Sequence, residues 1–273
     1  MRIEKALLVF RKDWREISRN WQVLMPILVV PLLFTVAIPA AIILIPGLMN
    51  APTSSTAFLG LMVENLPGQI QAQLSGMDEN QVMIYVMLLY FIAPFFLVIP
   101  VMASSVIASD SFAGEKERKT IEALLATPIT DGELLFGKAL VSFVPSMLVT
   151  GGSFLLYSAT VDLLTYEMFG RLLLPNLEWV LLIFGLAPTV SLAGIGLTVM
   201  ISARVKGFKE AQQISAVLVV PILMMLFAQA SGVMLFGPLM VGALTLVFIL
   251  VDILLFRLGV KIFRREKILS QRG

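Results

Sequence analysis

The chain has no cysteine and no histidine among its 273 residues. Their absence excludes disulfide frameworks, thiol nucleophiles, Cys/His zinc sites and the commonest general base, and most hydrolytic and redox chemistries go with them. Charge is also scarce: 14% of residues are Asp, Glu, Lys or Arg, against 58% hydrophobic, and mean hydropathy is +0.94. Soluble domains carry about a quarter charged residues, so the composition is that of an integral membrane protein. The formal net charge of +2 says little until it is divided by side of the membrane.

A helix needs about 20 apolar residues to cross a hydrocarbon core of roughly 30 Å. Six runs qualify: Gln22 to Ile45, Gln81 to Ala108, Glu133 to Thr160, Glu178 to Ile201, Gln213 to Phe236, and Pro238 to Phe256. The expected architecture is therefore an all-α membrane protein, one transmembrane domain over residues 1–273 with both termini on one side. That side holds Arg2, Lys5, Arg11, Lys12, Arg15 and Arg19; Lys116, Arg118, Lys119 and Lys138; Arg204, Lys206 and Lys209; and Arg257, Lys261, Arg264, Arg265, Lys267 and Arg272. Only Arg171 lies opposite, so the positive-inside rule makes the terminal side cytoplasmic and supports an even number of spans.

Residues 1–20 lack the form of a cleaved secretory signal, because charges are interleaved throughout and the next apolar run is too long. Ile3, Leu7, Phe10, Trp14, Ile17 and Trp21 recur at steps of three and four, with basic residues between them. Such spacing predicts an interfacial amphipathic helix, apolar stripe in the headgroup boundary and cations toward anionic lipid. On the opposite side, Asn50 to Asn80 is too polar to span, and Asp78 with Gln81 reads as a capping box opening the second span. The connection Val161 to Leu177 mixes Asp162, Glu167 and Arg171 with Leu and Phe, as a segment lying in the interface would.

The longest cytoplasmic connection, residues 109–132 running on to Lys138, reads SDSFAGEKERKTIEALLATPITDGELLFGK. Glu115 with Lys119 and Arg118 with Glu122 stand at i,i+4, and Phe112, Ile121, Leu124 and Leu125 supply an apolar side. Pro128 disfavours helix at Thr127, and Thr130 with Glu133 forms a second capping box before the third span. A short charged helix tied to two spans is suited to transmitting force from a partner. By itself, such a charge run can equally be a solvated helix held by its own weak ion pairs.

With GEKERKTIEALLATPIT at its centre, this loop resembles the connection between the second and third spans of ABC-2 type permeases, the membrane subunits of ATP-binding cassette transporters. Six spans, an amphipathic leader and an enlarged first external connection extend the resemblance over nearly the whole chain. The loop RVKGFKEAQQ, Arg204 to Gln213, resembles the sodium-efflux branch of that family in particular. The resemblance implies a coupling helix that docks on an ATPase subunit, with Glu115, Lys116, Glu117, Arg118, Lys119, Thr120 and Glu122 in or beside it. It also implies a separate ABC ATPase carrying ATP and magnesium, a second permease copy or homologue, export as the direction, and a prokaryotic plasma membrane.

Gly132, Gly137 and Lys138 match GxxxxGK, but no strand precedes them and Ala139 stands where Ser or Thr would hold magnesium, so no phosphate loop is read there. No cofactor, metal or catalytic residue is expected on this chain. Inside the apolar runs Asp252 is the single ionisable residue well within a span. Close to Arg257, it is expected to pair with a basic group or reach interfacial water, or else to serve transport directly. Gly185, Ala187, Ser191, Gly194, Gly196 and Thr198 give the fourth span a small-residue face for close helix packing. Two rivals stand beside the permease reading: an ATP-independent secondary carrier or channel, and a scaffold whose basic helices recruit lipid or partners.

Overall fold

A computed structural model of the chain describes residues 3–49, 71–72, 74–120, 127–231 and 237–262. Seven long helices account for nearly all of them: α1 (Ile3–Ile17), α2 (Trp21–Ile45), α3 (Glu79–Glu117), α4 (Asp131–Phe169), α5 (Leu177–Ser202), α6 (Phe208–Gln229) and α7 (Pro238–Ile262). Helices α2 to α7 are each long and apolar enough to cross a membrane, and no strand occurs among the described residues.

Local chemistry sets the ends. Asn20 accepts from the Gln22 amide and separates α1 from α2. Both expected capping boxes close: Asp78 with Gln81 opens α3, and Thr130 with Glu133 opens α4. Asn176 accepts from the Trp179 amide and starts α5.

Several of the expected boundaries move. Helix α3 continues past Ala108 to Glu117, nine residues or about 14 Å beyond the apolar run, and carries the charged start of the first loop on its end. Helix α4 runs on through Phe169, so residues 161–169 are helical instead of an interfacial connection. Val161 and Thr165 are fully buried there, and Asp162 accepts from the Leu173 and Leu174 amides to fold the return segment back. Helix α6 begins at Phe208, five residues before the expected Gln213, and residues 232–236 of that expected span lie outside the described residues.

Helices α3 and α5 form the centre. Two thirds of the most apolar window of α3 is buried, against 17% for α6 and 11% for α7, which lie at the periphery of the bundle. The small face of α5 meets every central neighbour. Gly194 lies against Val101 and Ser104 of α3, Gly185 and Gly196 against Thr245 and Leu255 of α7, and Ser191 and Thr198 bond Ser146 of α4 and Ser215 of α6.

A widened turn in α3 organises the main core. Over Met87–Phe91 the helix is π-wound, with the Ile92 amide bonded to the Met87 carbonyl, and Pro94 has no N–H to offer Tyr90. Three successive carbonyls are taken instead by side chains from three other helices. The Tyr157 hydroxyl of α4 donates to Leu88 at 2.7 Å, the Trp179 indole of α5 to Leu89 at 3.0 Å, and the Gln229 amide of α6 to Tyr90 at 2.9 Å. Phe96, Phe154, Tyr157 and Trp179 stack around this point with centroids 4.7–5.9 Å apart. In a membrane, where no water can satisfy a freed carbonyl, this arrangement fixes α4, α5 and α6 to α3.

Candidate functional site

The basic end of the bundle gathers α1, the end of α3, the start of α4 and the short turn between α5 and α6. Helix α1 lies across α4 with Ala6, Val9, Asp13 and Ile17 inward, at steps of three and four. This face is displaced from the apolar stripe read in the sequence: Ile3, Leu7 and Trp14 remain exposed. The two helices touch at Gly137, where an added Cβ would stand 2.7 Å from the Ala6 carbonyl oxygen and 2.9 Å from the Val9 Cβ. Only a glycine admits so close a backbone approach.

One residue along, Lys138 is wholly buried. Its ammonium lies 2.6 Å from Glu115, 3.3 Å from Asp13 and 3.2 Å from the Ser111 hydroxyl, with the Phe112 ring 5.3 Å away. Glu115 and Asp13 are themselves 0% and 2% exposed. Lys12 bonds the other oxygen of Glu115 and, at 3.0 Å, the other oxygen of Asp13, while Ser111 donates to Asp13 at 2.6 Å. Two ammonium groups and two carboxylates from three helices thus satisfy one another, with Lys138, Asp13 and Glu115 buried and Lys12 half-buried at the edge. A π-wound turn at Asp110–Gly114 lies at the same place and sends Asp110 to the other side, where it accepts from Arg118 at 2.9 Å and from Asn20 at 3.2 Å.

Burial alone would raise the Asp13 carboxyl; the Lys138 ammonium, then the Ser111 hydroxyl and Lys12, outweigh it and hold Asp13 below its ordinary value. Burial would likewise lower Lys12, but the bond to Glu115 and the Asp13 and Glu115 charges carry it above the ordinary lysine value. Asp13, Glu16 and Glu115 bring oxygens within 4.8 Å of one another. Lys12 and Lys138 already fill that space with positive charge, so the arrangement is a salt-bridge network. Removing one partner of such a set typically costs about 3–5 kcal/mol, because the remaining charge stays buried.

The root of the first loop is tied to the second loop as well. Lys116 donates to the Val205 carbonyl at 2.9 Å, and Glu117 accepts from the Phe208 amide at 2.9 Å. Gly207 occupies the N-cap of α6 and brings no capping side chain, so Glu117 caps that helix from another segment. A Cβ at Gly207 would lie 2.5 Å from the Glu117 carboxylate, so the bare glycine makes room for it.

The family model described as ABC-2 family transporter protein matches residues 7–241. The chain belongs to that family. Its match takes in α1 from Leu7, all of α2 to α6 and the charged loop whose root has just been described. Among curated proteins nothing matches the chain.

In this ABC-2 chain the seven residues expected to dock an ATPase separate into distinct places. Glu115 has no accessible surface, since its carboxylate is spent on Lys138 and Lys12. The expected Glu115–Lys119 pair is replaced by those contacts, and helix stops at Glu117 because Lys119 turns left-handed at φ 58°. Lys116 and Glu117 hold the second loop, and Arg118 holds Asp110 with Glu16 at 4.0 Å. Lys119 and Thr120 are exposed, Thr120 donating to the Glu115 carbonyl at 3.3 Å. Glu122, with Ile121, Leu124 and Leu125, lies outside the described residues.

Asp252 also departs from expectation. Helix α7 continues to Ile262, which places Asp252 about 5 Å from the middle of the Pro238–Gly259 span. Both of its carboxylate oxygens are buried without a hydrogen-bond partner among the described residues, Arg257 included. Asp13 and Lys138 are the site residues that sequence reasoning missed. Their signals were an acid within the Ala6–Val9–Asp13–Ile17 stripe and a lysine about two turns inside an apolar helix.

Proposed function

We propose that this ABC-2 chain is the permease subunit of an ATP-driven exporter, paired with a second permease and coupled through residues 118–130 to a separate ATPase that carries ATP and magnesium. The observation that carries the reading is the convergence of α1, α3, α4 and the α5–α6 turn on the root of that one loop. A displacement of the loop would reach four segments at once, and through α3 the core turn that fixes α4, α5 and α6. The basic end is cytoplasmic in this reading, and the membrane is that of a prokaryotic cell. Lys119, Thr120 and the segment beyond them form the docking surface.

Affinity purification in gentle detergent, with mass spectrometry for a P-loop ATPase at roughly one-to-one ratio, tests it. Replacing Lys119 and Thr120 with Glu should release the ATPase and leave insertion intact. A chain that arrives alone under several mild conditions would sink the reading. Reporter fusions at Ser75 and Gly273 should report the external and cytoplasmic sides respectively.

One observation favours the ATP-independent carrier as runner-up: the unpartnered Asp252 carboxylate inside α7. Transport by the purified chain in liposomes without any ATPase, abolished by Asp252→Asn, would promote that reading.

A further inference from the structure

We propose that α1 is a working part of the coupling apparatus, with Lys138, Asp13 and Glu115 as the positioning residues that lock it across both ends of the first loop. The inference rests on the reading of that loop as the ATPase docking segment.

Helix α1 holds the loop twice. At its entry, Lys12 binds Glu115, and Glu16 lies 4.0 Å from Arg118. At its exit, Lys5 donates to the Pro128 carbonyl, and Ala6 and Val9 pack on Gly137. Lys5 and Lys12 are two turns apart, about 10 Å along the axis, so the loop leaves and re-enters the bundle astride one helix. An anchor for α2 needs none of this; apolar contact with α4 would hold it. Burying the Lys138 ammonium with two carboxylates is costly, and the attested return for such an expense is registry. In this register Asp13 meets Lys138, Lys12 and Ser111, and slippage of α1 by one turn would take the Asp13 carboxylate from both Lys138 and Ser111 while Lys138 kept Glu115 and the Ser111 carbonyl.

The contact therefore has two states, locked or open, with no gradual series between them. While it is locked, a displacement of the loop carries α1, the first turns of α4 and, through Glu117, the start of α6. The exposed face of α1 presents Ile3, Leu7 and Trp14 beside Arg11 and Arg15. Such a face rides in the headgroup layer, so the movement of the loop is also a movement of α1 against the membrane surface.

The absence of cysteine makes the test direct, since introduced thiols are the only ones. Spin labels at Leu8→Cys and Gly132→Cys, both exposed positions, report the α1–α4 distance in the full chain in nanodiscs of phosphatidylcholine and phosphatidylglycerol. The native background should give one narrow distribution. Lys138→Met should add a component displaced or broadened by about 5 Å or more, one helical turn. Adding Glu115→Gln should restore the single distance, because Asp13 then keeps Lys12 and Ser111 with no second buried carboxylate left over.

A narrow, unshifted distance in Lys138→Met overturns the lock, and failure of Glu115→Gln to rescue assigns the effect to lost packing and overturns it too. In the complex with the ATPase, ATP should shift the distance between labels at Leu8 and Leu172 in the native background and leave it unchanged in Lys138→Met. A shift that persists in Lys138→Met refutes the coupling role of α1. Absence of an ATPase would count against the docking reading alone, because the first distance needs no partner.

Discussion

Gly137→Ala is the sharpest single-atom perturbation of the α1–α4 contact. Two effects oppose each other. Replacing an interior helical glycine with alanine favours helix by about 1 kcal/mol. Against this, the new methyl meets the Ala6 carbonyl oxygen at 2.7 Å and the Val9 Cβ at 2.9 Å. Neither neighbour is the far end of a flexible side chain, so α1 must retreat bodily by about 0.7 Å to regain ordinary contact distance. Overpacking of this kind costs about 1–3 kcal/mol, and the same retreat stretches the 3.3 Å Lys138–Asp13 contact to about 4 Å. The clash wins by about 1 kcal/mol, and the loss falls on the docking of α1 while the six spans keep their packing.

Hydrogen exchange by mass spectrometry in micelles reads this directly: amides of α1 should exchange about fivefold faster, and those of α5 unchanged. Gly151→Ala, in the same helix with nothing within 4 Å of its added Cβ, is the control and should be neutral or slightly stabilising. Unchanged or slower exchange of α1 in Gly137→Ala would refute the close-approach reasoning. Equal loss in both variants would refute its assignment to this contact.

Acid should release α1 late. Because Asp13 is held below its ordinary value of 3.8, its contribution is complete above that pH and disappears as pH falls through the lower folded value, so α1 protection should hold from neutrality to about pH 4 and collapse beneath it. Loss of protection near pH 6 would contradict this. Glu117→Ala should remove the cap of α6 and cost about 0.5–2 kcal/mol locally, read as faster exchange at Phe208, Lys209 and Glu210; equal rates would show that water replaces the carboxylate. Tyr157→Phe should leave the Leu88 carbonyl unsatisfied at a cost of about 1–3 kcal/mol in thermal unfolding, more than Tyr166→Phe, whose ring is 56% exposed. A Tyr157→Phe variant as stable as native would mean the carbonyl finds another donor.

What could be read from the sequence was local. The Asp78–Gln81 and Thr130–Glu133 boxes each close over four residues, and apolar runs long enough to span need no knowledge of their neighbours. The ionic site could not be read that way, because Lys138 finds Asp13 across 125 residues and Lys12 finds Glu115 across 103. Local rules went wrong where such partners compete: Glu115 faces Lys119 in an ideal helix, but the distant Lys138 is buried beside it and the i,i+4 pair is worth only a few tenths of a kcal/mol. At the π-wound turn of Met87–Phe91 the sequence offers Pro94, which has no N–H for the Tyr90 carbonyl, but not the three donors that α4, α5 and α6 bring to it. The charge count does not depend on such pairings. Lys138 enters it as a loop cation and proves to be buried, yet its removal still leaves Arg171 alone on the opposite side. A sum over many residues tolerates one misplaced member, whereas the ionic site depends on which carboxylate meets which lysine and tolerates none.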